Sequence, residues 1–476
     1  MKFFALIILQ FSAIQNQLLT ELRNFQNSEG IKTGIVAASI HRTADNKPML
    51  SFNSDKSVNS ASTMKLITTA TALSILGEDF RFITDVGYTG QISNHVLSGD
   101  LVILPSGDPS FGSERSLSTY NDLVSSILST IKVLGIRKID GNIIIKDPSI
   151  YDYDVPDSWI WGDIGNYYGA IPHKLNINEN KYTVYFEPGR EIGQAAEISS
   201  LEPFDREWKI INNVTTGSSS SGDQVYIYAS PSSDVILMKG TVPLGKGNFP
   251  VKGAIPDPSK LFRNHLIYTL RNEGIEITKA SQYLLPNEIN NEPVNFHLTK
   301  RFYSQPLSDL ARDCNFFSIN LYADAFLHQL GPDGFTDFKG GLTYLKNFWK
   351  QKSLTLDGFN PKDGSGLSPS GVITSSNMAD ILSMMYSSDS FDAFYESIAT
   401  FGETGSVRYK DRSNKTRGRL KAKSGYIDGT RAYAGYFEDK TGELFSYMIC
   451  VNRYESDAKD KVRRFLDDFL VKMASR

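Results

Sequence analysis

The amino-acid sequence predicts a mixed α/β (α+β) fold in which helices flank an antiparallel sheet. Two strand patterns, at residues 33–40 and 49–52, are followed by a helix that starts at Ser62 and ends before Gly77. The last elements repeat this order of two strands and a helix, at residues 432–437, 444–451 and 457–473. We therefore expect both ends of the chain to build one domain, with the middle as an insertion.

The elements between the two ends change in character along the chain. Strand patterns alternate over residues 82–103, and an amphipathic helix follows at 119–134. A strand at 141–145, further short strands and a helix near 259–272 complete the predicted insertion. After it the pattern becomes helical, over residues 307–313, 320–330, 340–350 and 378–386.

The composition is that of a globular protein and argues against several partner classes. The net charge is −3, which gives no reason to expect nucleic acid or an anionic membrane as a partner. The six histidines and two cysteines show no metal-ligand spacing, so we expect neither a metal nor another cofactor. Cys314 and Cys450 lie in apolar settings, where free buried thiols are the expected state.

The N-terminus resembles a secretory signal peptide, which we place at residues 1–15. A charged start, Met1-Lys2, precedes an apolar run at residues 3–9 that is too short to span a bilayer. A periplasmic location follows from this interpretation. The alternative is an N-terminal helix of the mature domain.

The first motif that can carry catalysis is the tetrapeptide STMK at residues 62–65. Positions three apart share a helix face, so the Lys65 amine can lie beside the Ser62 hydroxyl. A lysine kept neutral by burial can remove the serine proton and so create a nucleophile. The same spacing recurs at Ser129/Lys132 and at Ser456/Lys459. We interpret the first of these pairs as a polar helix face, and the second lies beyond every other required motif.

A serine acylase also needs a second proton-relay group, a cation for a substrate carboxylate and N–H donors for the oxyanion. Ser318 and Asn320 offer a hydroxyl and an amide just before a helix. Lys423, Ser424 and Gly425 precede two late strands and would place an ammonium and a hydroxyl at an exposed strand edge. Helix capping, a hairpin turn or an early strand explains the other copies of these patterns, at 51–53, 57–59, 375–377, 32–34 and 440–442.

In this order the three motifs form the signature of penicillin-recognising acyl-enzymes. The chain resembles the D-alanyl-D-alanine carboxypeptidase/endopeptidase family of low-molecular-mass class C penicillin-binding proteins, peptidase family S13. The resemblance runs over residues 34–473 and includes the segments 107–110, 363–368 and 418–425. Ser62 and Ser318 are 318 − 62 = 256 residues apart, an interval that leaves room for the insertions of this family and is far longer than in a serine β-lactamase.

The resemblance implies a transpeptidase-like, β-lactamase-like catalytic domain with two inserted smaller domains. We expect the catalytic domain to be discontinuous, at residues 16–86 and 292–476. Inserted domain II would comprise residues 87–115 and 205–291, and inserted domain III residues 116–204.

The resemblance also implies a role for each motif residue. Ser62 would be the acylated nucleophile and Lys65 its general base. Ser318 and Asn320 would complete the proton relay and position the substrate amide, while Lys423 would supply positive potential.

The remaining implied roles concern substrate binding. The Ser424 hydroxyl would bind the terminal carboxylate, and Gly425 would let the ligand approach the backbone. The backbone N–H groups of Ser62 and Tyr426 would form the oxyanion hole. Asp163 and Tyr168 match a pocket for the stem-peptide side chain, although a simple loop position explains Asp163 as well.

Three departures from the family pattern concern the ligand. Ser424 replaces the usual threonine but keeps the hydroxyl, so activity should survive. Pro369 stands where relatives often carry arginine, and Asp428 where some carry a neutral amide. We therefore expect the stem-peptide subsite to prefer a cationic or amidated group.

The expected function is a serine-type D-Ala–D-Ala carboxypeptidase or DD-endopeptidase that acts on peptidoglycan stem peptides. β-Lactam antibiotics would act as covalent inhibitors. The sequence does not decide whether the protein forms a homo-oligomer. The alternatives are a serine β-lactamase or D-amino-acid peptidase with the same chemistry, and a non-catalytic wall-binding protein with the same fold.

Overall fold

The structure, a computed structural model, describes residues 15–150, 154–279, 295–332, 334–410 and 414–475. These residues form two compact units. The first contains the described residues up to Phe80, Pro306–Pro332 and those from Thr336 onward. The second contains Arg81–Gln305 where described, with Gly334 and Phe335. The first unit therefore combines segments from both ends of the chain.

The first unit is built on a five-stranded antiparallel sheet. Its strands, in order across the sheet, are Leu420–Ile427, Thr430–Glu438, Leu444–Asn452, Ile35–Arg42 and Lys47–Phe52. The two chain ends meet inside this sheet, where Ile35 pairs with Asn452 and Arg42 with Phe445. The central strands are buried along nearly their whole length rather than at alternate residues, as expected when both faces of a sheet are covered.

Helices surround this sheet in the first unit. They comprise residues 15–26, Met64–Leu76, Leu307–Phe317, Asn320–His328, Phe338–Gln351, Ser375–Met385, Phe391–Glu396 and Lys459–Ala474. Short 3₁₀ turns occur at Ala61–Thr63, Gly405–Val407 and Ser456–Ala458. Ser375–Met385 and Lys459–Ala474 both contact the sheet.

The Met64–Leu76 helix, which follows Ser62, is buried over most of its length. All residues from Met64 to Leu73 are buried, so packing on every side replaces the one-sided pattern of a surface helix. The Thr69 and Thr71 hydroxyls bond to carbonyls four residues back within the helix, which satisfies them without water. Gly77 ends the helix with φ +87°, as predicted.

The sequence pattern missed one strand of the sheet. Leu420–Ile427 is an edge strand that pairs with Thr430–Glu438 through a short turn, whereas residues 423–425 were expected ahead of a two-strand pair. The Ala-Lys-Ser-Gly stretch inside it lacks the apolar alternation that marks a half-buried strand.

The second unit contains four small sheets. Their strands, each in sheet order, are Glu197–Glu202, Lys181–Glu187 and Phe249–Ala254; Lys209–Gly217, Val235–Pro243 and Tyr226–Tyr228; Glu276–Ile277, Lys138–Ile139, Val96–Ser98 and Gln91–Ser93; and His297–Tyr303, Ile83–Tyr88, Leu101–Pro105 and Ile143–Ile145. Helices occur at Tyr120–Val133, Trp161–Ile164 and Pro258–Asn272, and 3₁₀ turns at Pro148–Ile150, Tyr167–Gly169 and Asn178–Asn180. One continuous apolar core joins these sheets with the two long helices.

The chain passes from the first unit to the second between Phe80 and Arg81, and returns to the first between Gln305 and Pro306. The first change comes before the expected boundary at residue 86 because Ile83–Tyr88 pairs with His297–Tyr303 inside the second unit. The expected boundary at residue 292 lies outside the described residues. The division of the insertion into domains II and III stays a prediction.

Residues 1–14 of the predicted signal peptide lie outside the described residues. In the described ranges, none of the helices combines the length and the apolar character needed to cross a membrane.

Candidate active site

Ser62 lies in the 3₁₀ turn Ala61–Thr63, immediately ahead of the Met64–Leu76 helix rather than inside it. The preceding residue, Ala61, has φ +44°, a left-handed conformation that is costly for alanine. Asn59 holds this turn, because its side-chain oxygen accepts a hydrogen bond from the Ala61 N–H at 2.8 Å. The nucleophile candidate therefore follows a backbone conformation that neighbouring contacts fix in place.

Lys65 is fully buried beside this serine. Its Nζ lies 3.0 Å from Ser62 Oγ and donates to Asn320 Oδ1 at 2.6 Å and to the Ser365 carbonyl oxygen at 2.8 Å. A neutral amine has two hydrogens and one lone pair. Because Asn320 and Ser365 accept the two hydrogens, the lone pair is left for the Ser62 hydroxyl proton.

Burial lowers the pKa of Lys65, against the opposing charges of Cys314, Asp324 and Asp363. Burial also raises the pKa of Asp324 well above its usual range, and the neighbouring Asp363 adds to the effect. The low-dielectric surroundings thus favour the neutral form of both groups. A neutral Lys65 is the form that can act as a base.

Ser318 is brought to the same region by an unusual backbone. It ends the Leu307–Phe317 helix with φ 59° and ψ 42°, which is left-handed and uncommon for serine. Its Oγ accepts a hydrogen bond from Lys423 Nζ at 2.9 Å. Asn320, two residues later, begins the next helix and reaches Lys65.

The environment of Lys423 differs from the exposed strand edge that the sequence predicted. Lys423 is only 1% exposed and donates to the Ser424 carbonyl as well as to Ser318. Burial, reinforced by the nearby Lys65, lowers its pKa well below the usual range. The strand is at the edge of the sheet, but neighbouring elements cover this side chain.

Gly425 packs directly against the nucleophile turn. A Cβ at this position would lie 2.7 Å from the Ser60 oxygen and 3.1 Å from the Ser62 nitrogen. Only a glycine allows the edge strand to come so close to the Ser62 amide. The predicted oxyanion donors, the N–H groups of Ser62 and Tyr426, therefore belong to two backbone segments that lie against each other.

The other predicted binding residues of the first unit lie further along the same strand. Ser424 Oγ is 3.3 Å from Ser406 Oγ. The Tyr426 side chain is half exposed, with the cations of Arg431 and Lys459 at 5.5 and 4.7 Å from its ring centre. Asp428 is exposed in the turn that follows.

Asp163 and Tyr168 lie in the second unit. Asp163 belongs to the short Trp161–Ile164 helix and Tyr168 to the Tyr167–Gly169 turn, and their side chains share a hydrogen bond. Burial raises the pKa of the Asp163 carboxyl. The exposed rings of Trp161 and Tyr167 lie on the same two elements.

The competing motif copies have structural explanations. Lys132 pairs with Glu273 at 2.6 Å on an exposed helix face, and residues 440–442 form the hairpin turn that was predicted. Asn377 takes part in a helix capping box with Thr374. Cys314 and Cys450 are both free and buried, as predicted.

Three site residues escaped the sequence analysis. Ser365 contributes only its carbonyl oxygen, which no side-chain pattern reveals, although it lies in the segment 363–368 that takes part in the family resemblance. Asp324 is buried one helical turn beyond Asn320 and accepts the Gly364 N–H at 2.8 Å. An aspartate in an apolar helix was the available signal. Ser406 had none.

Together these contacts define a class of protein. A buried amine beside a serine hydroxyl, a second lysine–serine pair and a strand glycine against the serine amide are the parts of a serine–lysine acyl-transfer site. The arrangement of side chains in the first unit is therefore typical of serine hydrolases.

Comparisons with known proteins identify the family. The model of the D-Ala-D-Ala carboxypeptidase 3 (S13) family matches residues 18–473, so the chain belongs to that family of serine carboxypeptidases. It is 23% identical to D-alanyl-D-alanine carboxypeptidase DacB of Haemophilus influenzae, over 92% of this chain and 88% of that protein. It is 24% identical to the D-alanyl-D-alanine carboxypeptidase of Actinomadura sp. strain R39, over 92% and 82%.

A solved structure confirms the predicted fold class. The crystal structure of penicillin binding protein 4 (dacB) from Haemophilus influenzae covers 96% of this chain, and this chain covers 98% of it, with a TM-score of 0.75 at 22% sequence identity. The mixed α/β architecture, with its antiparallel sheet and flanking helices, is therefore a penicillin-binding-protein fold.

Proposed function

We propose that the protein is a D-Ala–D-Ala carboxypeptidase, and also a DD-endopeptidase, that cleaves peptidoglycan stem peptides through an acyl-enzyme on Ser62. The observation that supports this most strongly is the buried Lys65 amine. Its two hydrogens have acceptors in Asn320 and Ser365, and it lies 3.0 Å from Ser62 Oγ. A base with its lone pair beside the hydroxyl is what acylation requires.

In the acylation step, Ser62 Oγ attacks the carbonyl carbon of the penultimate D-alanine while Lys65 takes the hydroxyl proton. The oxyanion that forms is stabilised by the N–H groups of Ser62 and Tyr426. The C–N bond then breaks, and the leaving amine receives a proton from the relay formed by Lys65, Ser318 and Lys423. The products are the ester on Ser62 and free D-alanine, or the second peptide strand in the endopeptidase reaction.

In the deacylation step, water adds to the ester carbonyl and gives a proton to Lys65. Collapse of this second tetrahedral species breaks the bond to Ser62, whose oxygen takes the proton back. The net reaction is hydrolysis of one peptide bond, with the enzyme returned to its starting protonation state.

In this proposal the protonation state of Lys423 changes when the substrate binds. In the free protein its burial and the nearby Lys65 lower its pKa. A substrate carboxylate that binds at the Ser424 hydroxyl brings a negative charge beside it and favours the ammonium form. Lys423 then both attracts the terminal carboxylate and can pass a proton through Ser318.

The stem-peptide side chain is assigned to the subsite of Asp163 and Tyr168 in the second unit. A carboxylate beside a tyrosine hydroxyl favours a cationic or amidated group over a free acid, and the exposed Asp428 of the first unit stays a separate candidate for binding such a group. The carboxyl of Asp163 is already held by the Tyr168 hydrogen bond, which orients it for such a partner.

The relatives also support a cell-wall location and sensitivity to β-lactams. We propose a periplasmic or extracellular site of action, with residues 1–15 as the signal peptide, and β-lactams as covalent inhibitors at Ser62. Bound β-lactam appears in the structure of the Haemophilus influenzae penicillin binding protein 4 complexed with such a compound. A homo-oligomer remains a proposal.

Product analysis tests the proposed reaction. A pentapeptide stem ending in D-Ala–D-Ala should release one equivalent of D-alanine, and a cross-linked muropeptide dimer should yield monomers. Turnover of a cephalosporin without turnover of either peptide would support the β-lactamase alternative. Binding of peptidoglycan without any cleavage would support the non-catalytic alternative.

A further inference from the structure

The second unit contains a cleft with no part in the proposed chemistry. It has a volume of about 430 Å³ and lies between the Pro258–Asn272 helix and the segment 204–207. Arg263, Ile267 and Arg271 line it at intervals of four residues, so they follow one face of the helix. Arg206 lines the opposite side. Three arginines therefore line one concavity, of which Arg263 is buried.

The two outer arginines have no competing acidic partner. Arg206 and Arg271 are exposed, and neither forms an ion pair with another described residue. The Arg206 guanidinium lies 4.2 Å from the ring centre of Tyr268, a cation–π contact that holds it over the cleft. Arg271 is one helical turn beyond Tyr268 on the same helix. The Arg206 guanidinium also hydrogen-bonds the Tyr268 side chain, so part of its fork and the guanidinium of Arg271 are left for an anionic ligand.

The acidic residues of the cleft already have partners. Asp205 accepts hydrogen bonds from the Glu207 N–H at 3.0 Å and from the Asn264 amide at 3.2 Å. Glu207 is paired with Lys260 at 2.7 Å. Glu207 shares the Lys260 ammonium with Asp234, and Asp205 is buried, so both carboxylates have partners of their own in the wall of the cleft.

The rim adds apolar contact area. Phe204 and Tyr268 line the cleft and are about half exposed. Aromatic faces next to guanidinium groups suit a ligand that combines a ring or methyl group with an anion. A planar guanidinium fork also matches a carboxylate better than it matches a neutral amide or hydroxyl.

We propose that this cleft is a second binding site for the polymer substrate, and that it takes a carboxylate-bearing segment of peptidoglycan distant from the bond being cleaved. The choice of polymer rests on the proposed function, whereas the preference for a carboxylate rests on the cleft itself. Arg206 and Arg271 bind the carboxylate, and Phe204 packs against the adjoining sugar or alanyl group.

Calorimetric titration of the full chain tests the proposal. The probe is N-acetylmuramyl-L-alanyl-D-glutamate, which carries carboxylates but no D-Ala–D-Ala bond and so is not a substrate. We expect saturable binding that weakens with added salt and a roughly tenfold or larger loss of affinity in the double variant Arg206→Gln/Arg271→Gln. The matched control Arg190→Gln removes an exposed arginine elsewhere in the same unit and should bind like the wild type.

Three further measurements show whether the binding depends on a carboxylate, on the cleft or on the proposed catalytic activity. Inorganic phosphate should compete weakly with the probe; tighter binding of phosphate than of the probe would overturn the carboxylate assignment. Equal affinity in the wild type and the double variant, or no binding by the wild type, would overturn the site. Penicillin acylation and D-alanine release, measured on the same samples, report on the proposed function independently of the cleft.

Discussion

Lys65 Nζ and Asn320 Oδ1 lie 2.6 Å apart, although 255 residues separate them in the sequence. This contact joins the first two motifs. Because Asn320 accepts one of the amine hydrogens, that hydrogen is not donated to Ser62. An amide oxygen can accept that hydrogen without adding a charge. The identity of residue 320 therefore bears directly on whether Lys65 is a base or an ammonium ion.

Replacing the amide with an acid tests this relationship. In Asn320→Asp a carboxylate beside Lys65 favours the ammonium and raises the lysine pKa. We expect acylation by a fluorescent penicillin at pH 7 to fall by about 100-fold or more, with partial recovery as the pH increases. A pH profile that falls uniformly, with no displacement to higher pH, would contradict this explanation.

The variant Lys65→Arg places a permanent cation at the position where the proposed mechanism needs a neutral base. The guanidinium of Lys65→Arg cannot lose its proton in a protein, so the variant lacks a base but keeps a cation. Acylation should fall about 10²- to 10⁴-fold, the usual contribution of a general base.

Lys132→Arg is the matched control for this variant, because Lys132 has the same spacing from Ser129 but pairs with Glu273 on an exposed helix face. It should acylate at the wild-type rate. If Lys65→Arg retained that rate as well, Lys65 would not be the base.

Substitution of Gly425 tests whether acylation depends on the close contact between the Leu420–Ile427 strand and the backbone of Ser62. In Gly425→Ala the new methyl group would lie 2.7 Å from the Ser60 oxygen, so the strand or the turn must shift. We expect acylation to slow by about tenfold or more, since oxyanion donors act over a few tenths of an ångström. The far-UV circular dichroism spectrum should be unchanged.

Gly371→Ala provides the comparison, because its new methyl group would have no neighbour closer than 3.5 Å. Its acylation rate should stay near that of the wild type. Equal rates in both alanine variants would argue against a close role for the strand.

Burial of the Lys423 amine should lower the free energy of unfolding, although the same amine is needed for acylation. Its pKa is lowered in the folded chain, so the unfolded chain binds more protons between that pKa and about 10.4. The free energy of unfolding therefore rises with pH in this window, and the penalty is largest below it. At pH 7, Lys423→Met should be more stable than the wild type by about 1–4 kcal/mol and should acylate poorly.

Urea unfolding at pH 7 and at pH 9.5 measures this difference. The advantage of Lys423→Met should shrink at the higher pH, where the wild-type lysine is less penalised. A variant that is less stable than the wild type at pH 7 would show that the contacts to Ser318 and Ser424 outweigh the desolvation.

The sequence predicted the catalytic elements well because their patterns are local. The end of the Met64–Leu76 helix at Gly77, the hairpin at 440–442 and the order of the motifs all follow from spacing and turn residues. The predicted start at Ser62 lies two residues ahead of the helix, in a 3₁₀ turn. Helices at Pro258–Asn272 and Lys459–Ala474 were found within two residues of their observed bounds.

The missed features depend on contacts between distant segments. The burial of Lys423 comes from tertiary packing, and the strand around it has no alternating pattern. The Ser365 carbonyl acts through its backbone, and the left-handed conformations of Ala61 and Ser318 occur at residues that ordinarily avoid them. No side-chain pattern in the sequence indicates these backbone conformations or contacts, so they become visible only in the three-dimensional structure.

The proposed function requires that Ser62 is the acylated nucleophile. Mass spectrometry of the intact protein after exposure to penicillin, followed by peptide mapping, tests it most directly. We expect one added penicilloyl group on the peptide that contains Ser62, and none in Ser62→Ala. An adduct on another residue, or an equal adduct in Ser62→Ala, would contradict it.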